Sequence, residues 1–389
     1  MLLNNLSRII SPLSAVILIA VFSCTKPEKT VTAREPSISI PLKSVGNQAS
    51  RQFITVEADG PWTISIDFGG AGEWAYVDTE TADGLRSDIV LSWDRNEGET
   101  RSCSLMVTAS GKTATATFTQ SGQSGSGGGS SDITADTPGK WLELPATDDE
   151  NLYFISHEME RGGKIVRNYS YYYSPDDRLS VWVAYPLNRG LIGNGSRTDA
   201  WGYDPKLPAK YQPVLFKGYK GGYDRGHQLP SADRYGDGIN ETTFYFTNMT
   251  PQKGSLNQQS WATLENMVRD WSYSVDTLYV VTGADIKGAT DVAYDNNGAE
   301  CTVPEGYFKA LLGYKKGGSI GNSTGGYVGI AFYFEHRSYS DDKNAIMNQS
   351  MSIDALESKL GYDFFVNLPD KIGESVAAEV ESSVDDWWY

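Results

Sequence analysis

Three histidines occur in this chain of 389 residues, and one of them lies where the neighbouring residue types could do chemistry. His227 belongs to the segment YDRGHQLPSADR, where it follows Arg225 and a pair of glycines and precedes Pro230. A neutral imidazole takes a proton from water near pH 7, so His227 is a candidate general base. A turn held by local hydrogen bonds is the alternative interpretation of DRGH. His157 and His336 have no companion motif and are expected to be structural or exposed.

A second group of polar residues follows on a segment with helical periodicity. Ser255 followed by Gln258 has the form of a capping box and predicts that a helix begins there. Asn257 and Glu265 lie eight residues apart, which places them only about 80° apart around an ideal helix. Both border an apolar stripe and need partners on that packed side, and a hydrated metal ion is one such partner. The stripe has spacings of three and four and consists of Trp261, Leu264, Val268 and Trp271.

The alternation of apolar runs predicts that residues 133–389 form one α+β domain with a mixed sheet and helices. Strands are predicted at 180–184, 243–247, 278–282 and 327–334. Helices are predicted near 255–271 and 354–361.

Taken in order, these motifs resemble those of the DNA/RNA non-specific endonucleases, a ββα-metal family. DRGH is followed by TNMTPQ and LNQQSWATLE, and further matching pieces are NYSYYYSPDDRLSVWVAYPLN, GNGSRTDAWGYDPKLP, LYVVTGADI, VPEGYFKALLGY and SIDALESKLGYDFFVNLP. The resemblance covers residues 140 to 370, approximately. It implies a ββα-metal endonuclease fold and an enzyme that cuts DNA and RNA with little sequence preference, leaving 5′-phosphate ends.

The resemblance also implies roles for individual residues. His227 would be the general base and Asn257 the only direct protein ligand of the metal, while Glu265 would hold water bound to that metal. Arg197 would contact the phosphate, and Arg189 competes with it for this role. Three further residues would complete the site, the last two by binding substrate: Arg225, Asn248 and Gln252.

The chemistry of phosphodiester hydrolysis agrees with these residue types. The reaction needs a nucleophile in line with the leaving group, neutralisation of the charge on the non-bridging oxygens and help for the departing 3′ oxygen. A hard cation with few protein ligands keeps positions open for the phosphate, so Mg²⁺ is the expected cofactor and Mn²⁺ is expected to substitute. Arginine adds positive charge in a fork that matches phosphate. No base-reading element is evident in the sequence, so contacts to the nucleic acid backbone should dominate.

The N-terminal residues predict export and a lipid anchor. In residues 1–23, Arg8 precedes an apolar run that is short for a membrane span and ends abruptly. The run ends VFSC, similar to the lipobox of bacterial lipoproteins, so Cys24 is predicted to be lipidated and held at the outer membrane by a tether, residues 24–36. An ordinary signal peptide with an incidental cysteine is the alternative. Cys103 and Cys301 then have no close companion, which argues against disulfides and against a cysteine zinc site.

Residues 37–121 alternate with period two in short runs, which predicts a small all-β immunoglobulin-like sandwich. The pieces FITVEADGPWTISI and RNEGETRSCSLMVTASGKTATATFTQSG resemble the BACON domain, which implies a possible contact with glycans. Trp62, Trp74 and Trp93 could stack on sugar rings, but aromatic residues of sandwich strands more often form the core, so a spacer role is favoured. A Gly- and Ser-rich linker is expected at 122–132.

Charge alone argues against a nucleic acid partner, because 33 basic and 49 acidic residues give a net charge of −16. Residues 180–234 reverse this balance with eight basic and four acidic residues, as a local phosphate site would, although a solvated face of mixed charge has the same composition. Two other functions compete with the nuclease. One is a glycan-binding surface lipoprotein with an inactive nuclease-like domain. The other is an unrelated metallohydrolase, which three scattered histidines disfavour.

Overall fold

The computed structural model describes residues 34–47, 49–122, 141–146, 151–236, 238–317, 326–385 and 387. The predicted export signal and Cys24 lie outside these residues, as do most of the tether and of the linker. From residue 35 onward the chain forms one compact unit. In the part of the chain that is described, no helix is long and apolar enough to cross a membrane.

The N-terminal region is all-β, as its alternating pattern predicts. Its described strands are β1 Ser37–Ser39, β2 Ser44–Val45, β3 Ser50–Glu57, β4 Pro61–Asp67, β5 Ala75–Val77, β6 Thr81–Asp83, β7 Arg86–Trp93, β8 Arg101–Ala109 and β9 Lys112–Gln120. One sheet has the order β2-β9-β8-β4-β6, while β1, β3, β7 and β5 belong to a second sheet.

The two N-terminal sheets share an aromatic core. The ring of Phe118 on β9 lies 5.0 Å from Trp93 and 5.8 Å from Trp74, measured between centroids. Trp62, Trp74 and Trp93 are 2%, 2% and 4% exposed. Because these rings are buried, they offer no platform for a sugar, and the expectation that they form the core is correct.

The C-terminal region combines longer strands with short helices. Its strands are β10 Tyr153–Arg161, β11 Lys164–Ser174, β12 Leu179–Leu187, β13 Tyr223–His227, β14 Met249–Lys253, β15 Thr277–Asp285, β16 Val292–Tyr294, β17 Glu300–Thr302, β18 Gly306–Tyr314, β19 Tyr327–Glu335 and β20 Ser350–Met351. Its α-helices are α1 Arg189–Ile192, α2 Ala262–Ser272, α3 Lys343–Met347, α4 Ile353–Leu360, α5 Pro369–Ile372 and α6 Glu374–Ser382.

One sheet runs through both regions. Its C-terminal part is antiparallel with the order β20-β19-β18-β15-β12-β11-β10. A single parallel pair, Tyr153 with Arg51, joins β10 to β3 and so extends the sheet to eleven strands. Phe53 stacks on Tyr153 at 4.7 Å between centroids. The composition of the linker does not predict this contact, because it carries no information about the surfaces that the linker joins.

Helix α2 packs on this sheet through the predicted apolar stripe. Leu264 and Val268 are buried, and the Trp271 ring stacks on Phe332 of β19 at 6.1 Å. Each buried Leu or Val contributes about 1.5–3 kcal/mol, so this face holds the helix firmly against the strands. The helix is therefore a rigid support for the polar residues at its N-terminal end.

The strand predicted at 243–247 is wrong. The segment consists of two short 3₁₀ turns, Asn240–Phe244 and Phe246–Asn248. The Thr243 hydroxyl donates to the carbonyl of Asn240, whose own side chain donates to two backbone carbonyls. Polar side chains that bond nearby backbone groups compete with the hydrogen bonds of a strand. Here the turns form although the apolar residues alternate as in a strand.

Candidate active site

Two short strands and a helix position the predicted site. β13 and β14 form an antiparallel ribbon in which Asp224 lies opposite Gln252, and β13 ends at His227. A π-helical turn, Leu256–Trp261, follows and continues into α2. Such turns are rare and occur frequently at functional sites. This strand–strand–helix unit brings Asn257 against the strand that ends at His227.

Asp224 orients Asn257. Its Oδ2 accepts hydrogen bonds from Asn257 Nδ2 at 3.0 Å and from Gln258 Nε2 at 2.7 Å. With its nitrogen bound, Asn257 has Oδ1 available for another partner. The predicted capping box is wrong, because Ser255 makes no side-chain cap bond and the Gln258 amide is taken by Asp224. Since the first turn is π-helical, the angle of an ideal α-helix does not describe the step from Asn257 to Glu265.

The ring of His227 lies between two aromatic side chains. Its centroid is 5.6 Å from that of Trp201 and 5.1 Å from that of Phe244. Among the described residues, His227 Nε2 is buried without a hydrogen-bond partner. Burial above all, and then the charges of Arg197 and Arg225, lower the pKa of this imidazole to about 3. His227 is therefore neutral near pH 7 and keeps one nitrogen able to accept a proton.

Arg197 and Arg225 flank the histidine. Arg225 Cζ lies 3.5 Å from the centroid of Trp201. Arg197 Cζ lies 4.8 Å from the centroid of Phe244, and its Nε donates to Asp199 at 2.9 Å. Two guanidinium groups held on aromatic faces beside a neutral imidazole form a site suited to a phosphate.

Glu265 lies one turn beyond Trp261 on the helix that packs near β18. Burial raises the pKa of this carboxyl to about 7, and the ammonium of Lys309 opposes the rise. Lys309 is fully buried, donates to the Thr282 hydroxyl at 3.0 Å and lies 4.6 Å from the centroid of Trp261. Burial lowers the pKa of Lys309 to about 8, against the charge of Glu265. The sequence motifs do not identify Lys309, whose only signal is a lone charge inside the apolar strand YFKALLGY.

The Asn248 side chain is buried and bonded to the backbone through both ends of its amide. Its side chain is 1% exposed, its Oδ1 accepts from the Leu229 nitrogen at 2.8 Å, and its Nδ2 donates to the carbonyls of Leu229 and Thr243 at 2.9 and 2.8 Å. These bonds occupy both ends of the amide. The residue therefore holds the segment between β13 and β14 in place, and its contact with substrate stays a prediction.

The side chain of Gln252 on β14 is buried, and neither of its polar atoms has a hydrogen-bond partner among the described residues. A Cβ at Gly226 would lie 2.3 Å from Gln252 Oε1, so the glycine of DRGH makes room for this carboxamide. A buried amide without partners costs free energy, and a water or a ligand would relieve that cost. Its contact with substrate stays a prediction.

Arg189 lies apart from these residues. It is exposed on α1, with its Cζ 5.1 Å from the ring of Tyr273, which follows the C-terminal end of α2. Asn257 precedes the opposite end, and the eleven residues of α2 between them rise about 1.5 Å each. Arg197 rather than Arg189 lies beside His227, which favours Arg197 for the phosphate contact, and that contact stays a prediction.

The other two histidines serve the fold. His157 Nε2 lies 2.7 Å from Asp204 Oδ2 in a buried pair. His336 Nε2 accepts from the Lys253 backbone at 2.7 Å, and its Nδ1 donates to the carbonyl of Pro304 at 2.8 Å. The contact with Lys253 fixes the end of β14, and two residues separate Lys253 from the π-helical turn that carries Asn257.

The donor atoms near the site fit a hard cation. Cys103 and Cys301 are buried free thiols, and burial raises their pKa to about 11 and about 12. Within the described ranges no group of three or more His, Cys, Asp or Glu is arranged to hold a metal. The amide oxygen of Asn257 and the carboxylate of Glu265 are hard oxygen donors, which suit an ion such as Mg²⁺ that keeps several of its waters.

Comparison with known proteins shows the family to which this chain belongs. Residues 153–371 match the model of the DNA/RNA non-specific endonuclease family, and because the match covers more than half of the chain, the chain belongs to this family. It is 32% identical over 232 residues to a nuclease of Nostoc sp., covering 56% of this chain and 78% of that one. It is 28% identical over 211 residues to mitochondrial endonuclease G of Bos taurus, covering 52% and 68%. A solved structure of an EndoG/EndoGI complex matches with 20% identity and a TM-score of 0.42, covering 55% of this chain and 87% of that one.

Proposed function

We propose that this chain is a metal-dependent endonuclease that hydrolyses phosphodiester bonds in DNA and RNA with little sequence preference and leaves 5′-phosphate ends. The observation that carries the proposal is the buried Nε2 of His227, which has no hydrogen-bond partner among the described residues. The ring lies against Trp201 and Phe244, which hold Arg225 and Arg197, and the strand that it ends is bonded to Asn257. Membership of the endonuclease family supports it. Metal dependence rests on the hard oxygen atoms of Asn257 and Glu265.

In this mechanism His227 takes a proton from the attacking water through Nε2. A pKa of about 3 makes the imidazole a weak base in the free protein. Burial is the largest cause of that low pKa, and the charges of Arg197 and Arg225 add to it; a phosphate bound beside the two arginines would offset their part. Substrate binding therefore raises the basicity of His227 when a base is needed.

Asn257 would hold Mg²⁺ through Oδ1, and Glu265 would accept hydrogen bonds from the surrounding water. When bound, the ion neutralises charge on the phosphate and on the leaving 3′ oxygen. Asp224 keeps the Asn257 amide oriented, and Lys309 favours the charged form of Glu265. Mn²⁺ should substitute, because it shares the preference for octahedral oxygen ligands.

The proposed location is the outer membrane, with the protein exported and anchored through Cys24. The short apolar run before Cys24 supports export, and VFSC supports lipidation. The N-terminal strands, which resemble a BACON domain, would act as a spacer. Glycan contact gains no support from the tryptophans of this region, since their rings are buried.

The experiment that tests the proposed function is incubation of the purified protein with plasmid DNA and with RNA, in Mg²⁺ and in EDTA. Cleavage of both in Mg²⁺ alone is expected. A glycan-binding lipoprotein with an inactive nuclease-like domain would cut neither.

A further inference from the structure

A group of exposed apolar side chains lies beside the proposed active site. Eight large apolar side chains are exposed in the described residues, and this group contains four of them. They are Tyr203 (36% exposed), Phe216 (54%), Val292 (39%) and Tyr294 (41%). The segments that carry them are joined, since Val214 N donates to Asp295 Oδ2 at 2.8 Å and Lys220 forms a bridge with Tyr294. Several large apolar side chains left exposed on joined segments are typical of a binding surface.

Two of these rings rest on a buried third ring. The centroid of Phe246 lies 4.9 Å from that of Phe216 and 5.3 Å from that of Tyr203, both edge to face. Phe216 and Tyr203 lie 5.9 Å apart in the same arrangement. Phe246 is fully buried, so the two outer rings have a fixed support while more than a third of each remains open to solvent.

A β-turn presents Phe216. Gly218 N donates to the carbonyl of Leu215 at 3.0 Å, which makes Phe216 and Lys217 the corner residues of the turn. Asn296 fixes the turn from a second segment: its Oδ1 accepts from Lys217 N at 2.8 Å, and its Nδ2 donates to the Gly218 carbonyl at 2.7 Å. Because the turn is held before any ligand binds, binding costs little conformational entropy.

Arg225 joins this turn to the proposed active site. Its Nη1 donates to the carbonyl of Leu215 at 2.9 Å and to that of Phe216 at 3.4 Å. Its Cζ lies over the ring of Trp201, which neighbours His227. The aromatic surface is therefore continuous with the guanidinium group that we assign to the phosphate.

The charge near these rings also suits a ligand that carries a phosphate. Lys217 and Lys220 are exposed on the turn and just after it, and Asp295 beneath them is buried and bonded to backbone nitrogens. Flat rings that carry cations at their border recognise a nucleotide, whose base stacks and whose phosphate is anionic.

We propose that Phe216 and Tyr203 form a stacking platform for an unpaired base of the substrate strand, next to the phosphate that is cut; this inference rests on the proposed nuclease function. Stacking tolerates any sequence, because every base has a π face. The platform therefore agrees with cleavage of both DNA and RNA at many sequences. It favours strands whose bases are not already stacked and paired in a duplex.

The test compares the full-length wild type with Phe216→Ala and Phe216→Trp on one oligonucleotide, single-stranded or annealed to its complement. Phe216→Ala should lower kcat/KM for the single strand roughly five- to hundredfold and for the duplex much less. Phe216→Trp should keep the wild-type ratio. Tyr76→Ala, which removes an aromatic ring with 43% exposure on β5, is the matched control and should change neither value.

A second readout does not depend on cleavage. The probe is a single strand that contains 2-aminopurine, bound to the His227→Ala protein. Its fluorescence should fall as the base stacks. The fall should be absent in the double variant that carries both His227→Ala and Phe216→Ala. Unchanged quenching, or an equal loss of kcat/KM on single strand and duplex, overturns the platform. If the wild type cuts neither DNA nor RNA, the proposed function is contradicted. If the wild type cuts and Phe216→Ala cuts single strands at the same rate, only the platform is contradicted.

Discussion

Asn257 Nδ2 donates a hydrogen bond to Asp224 Oδ2 across 3.0 Å, and this contact joins the helix to the strand that ends at His227. An amide presents its oxygen on the side that its nitrogen does not use, so the contact decides where Asn257 Oδ1 points. The aspartate of DRGH therefore serves an asparagine 33 residues further along the chain.

We expect Asp224→Ala to raise the Mg²⁺ concentration needed for half-maximal cleavage about 10- to 100-fold, as loss of a partner that orients a metal ligand does. Metal titrations of the cleavage rate measure it. The control is Gln258→Ala, which removes the other hydrogen bond to Asp224 Oδ2 but leaves that of Asn257, and whose effect should be smaller. An unchanged Mg²⁺ requirement in Asp224→Ala would contradict the orienting role.

The two candidate arginines give a paired prediction. Arg197→Ala should lower kcat on plasmid DNA roughly 10²-fold or more, because the group lies beside His227 and would stabilise charge on the phosphate. Arg189→Ala should leave kcat near the wild-type value, since its guanidinium lies at Tyr273. The opposite ranking of the two variants is incompatible with the site described above.

The pH dependence of kcat/KM should follow the ionisation of the Glu265 carboxyl. Burial raises the pKa of this carboxyl to about 7, so its negative charge is lost as the pH falls through 7, and kcat/KM should fall with it. His227, with a pKa of about 3, stays neutral across this range and adds no second loss. Raising the Mg²⁺ concentration should move the fall in kcat/KM to lower pH, because a nearby cation favours the carboxylate.

Two variants check this assignment. Glu265→Gln should abolish the pH dependence near 7 at a reduced rate. Lys309→Met should move it to higher pH, because the Lys309 ammonium opposes the rise in the Glu265 pKa. A pH profile that keeps its midpoint in both variants would assign the titration to another group.

Much of the site could be predicted from the sequence because its parts are local. DRGH and the helix that carries Asn257 each lie within a few residues, and the periodicity of Leu264 and Val268 identifies the packed face. The family resemblance then supplied roles that spacing alone does not give, and the family itself is confirmed.

What escaped prediction depends on contacts between distant residues. Lys309 meets Trp261 only because β18 packs against the helix, and Trp201 meets His227 only after the chain folds back. Residues 243–247 alternate like a strand, yet side chains compete for their backbone, because the carbonyls of Thr243 and Thr247 accept hydrogen bonds from Asn248 and Ser180. A pattern in the sequence does not reveal that competition.

The predicted anchor has its own test. Lipid labelling of the expressed protein should occur in the wild type and vanish in Cys24→Ala, while the released variant keeps its nuclease activity, because the tether separates the anchor from the folded chain. A wild type that is unlabelled and found entirely in the soluble fraction would contradict the anchor.

The most direct test of the central claim is the initial rate of plasmid and RNA cleavage in Mg²⁺ by the wild type and by His227→Ala. Removal of a general base should lower the rate about 10²–10⁴-fold on both substrates, with an unchanged thermal unfolding curve and with no cleavage by either protein in EDTA. A folded His227→Ala protein that cuts at nearly the wild-type rate would show that His227 is not the base.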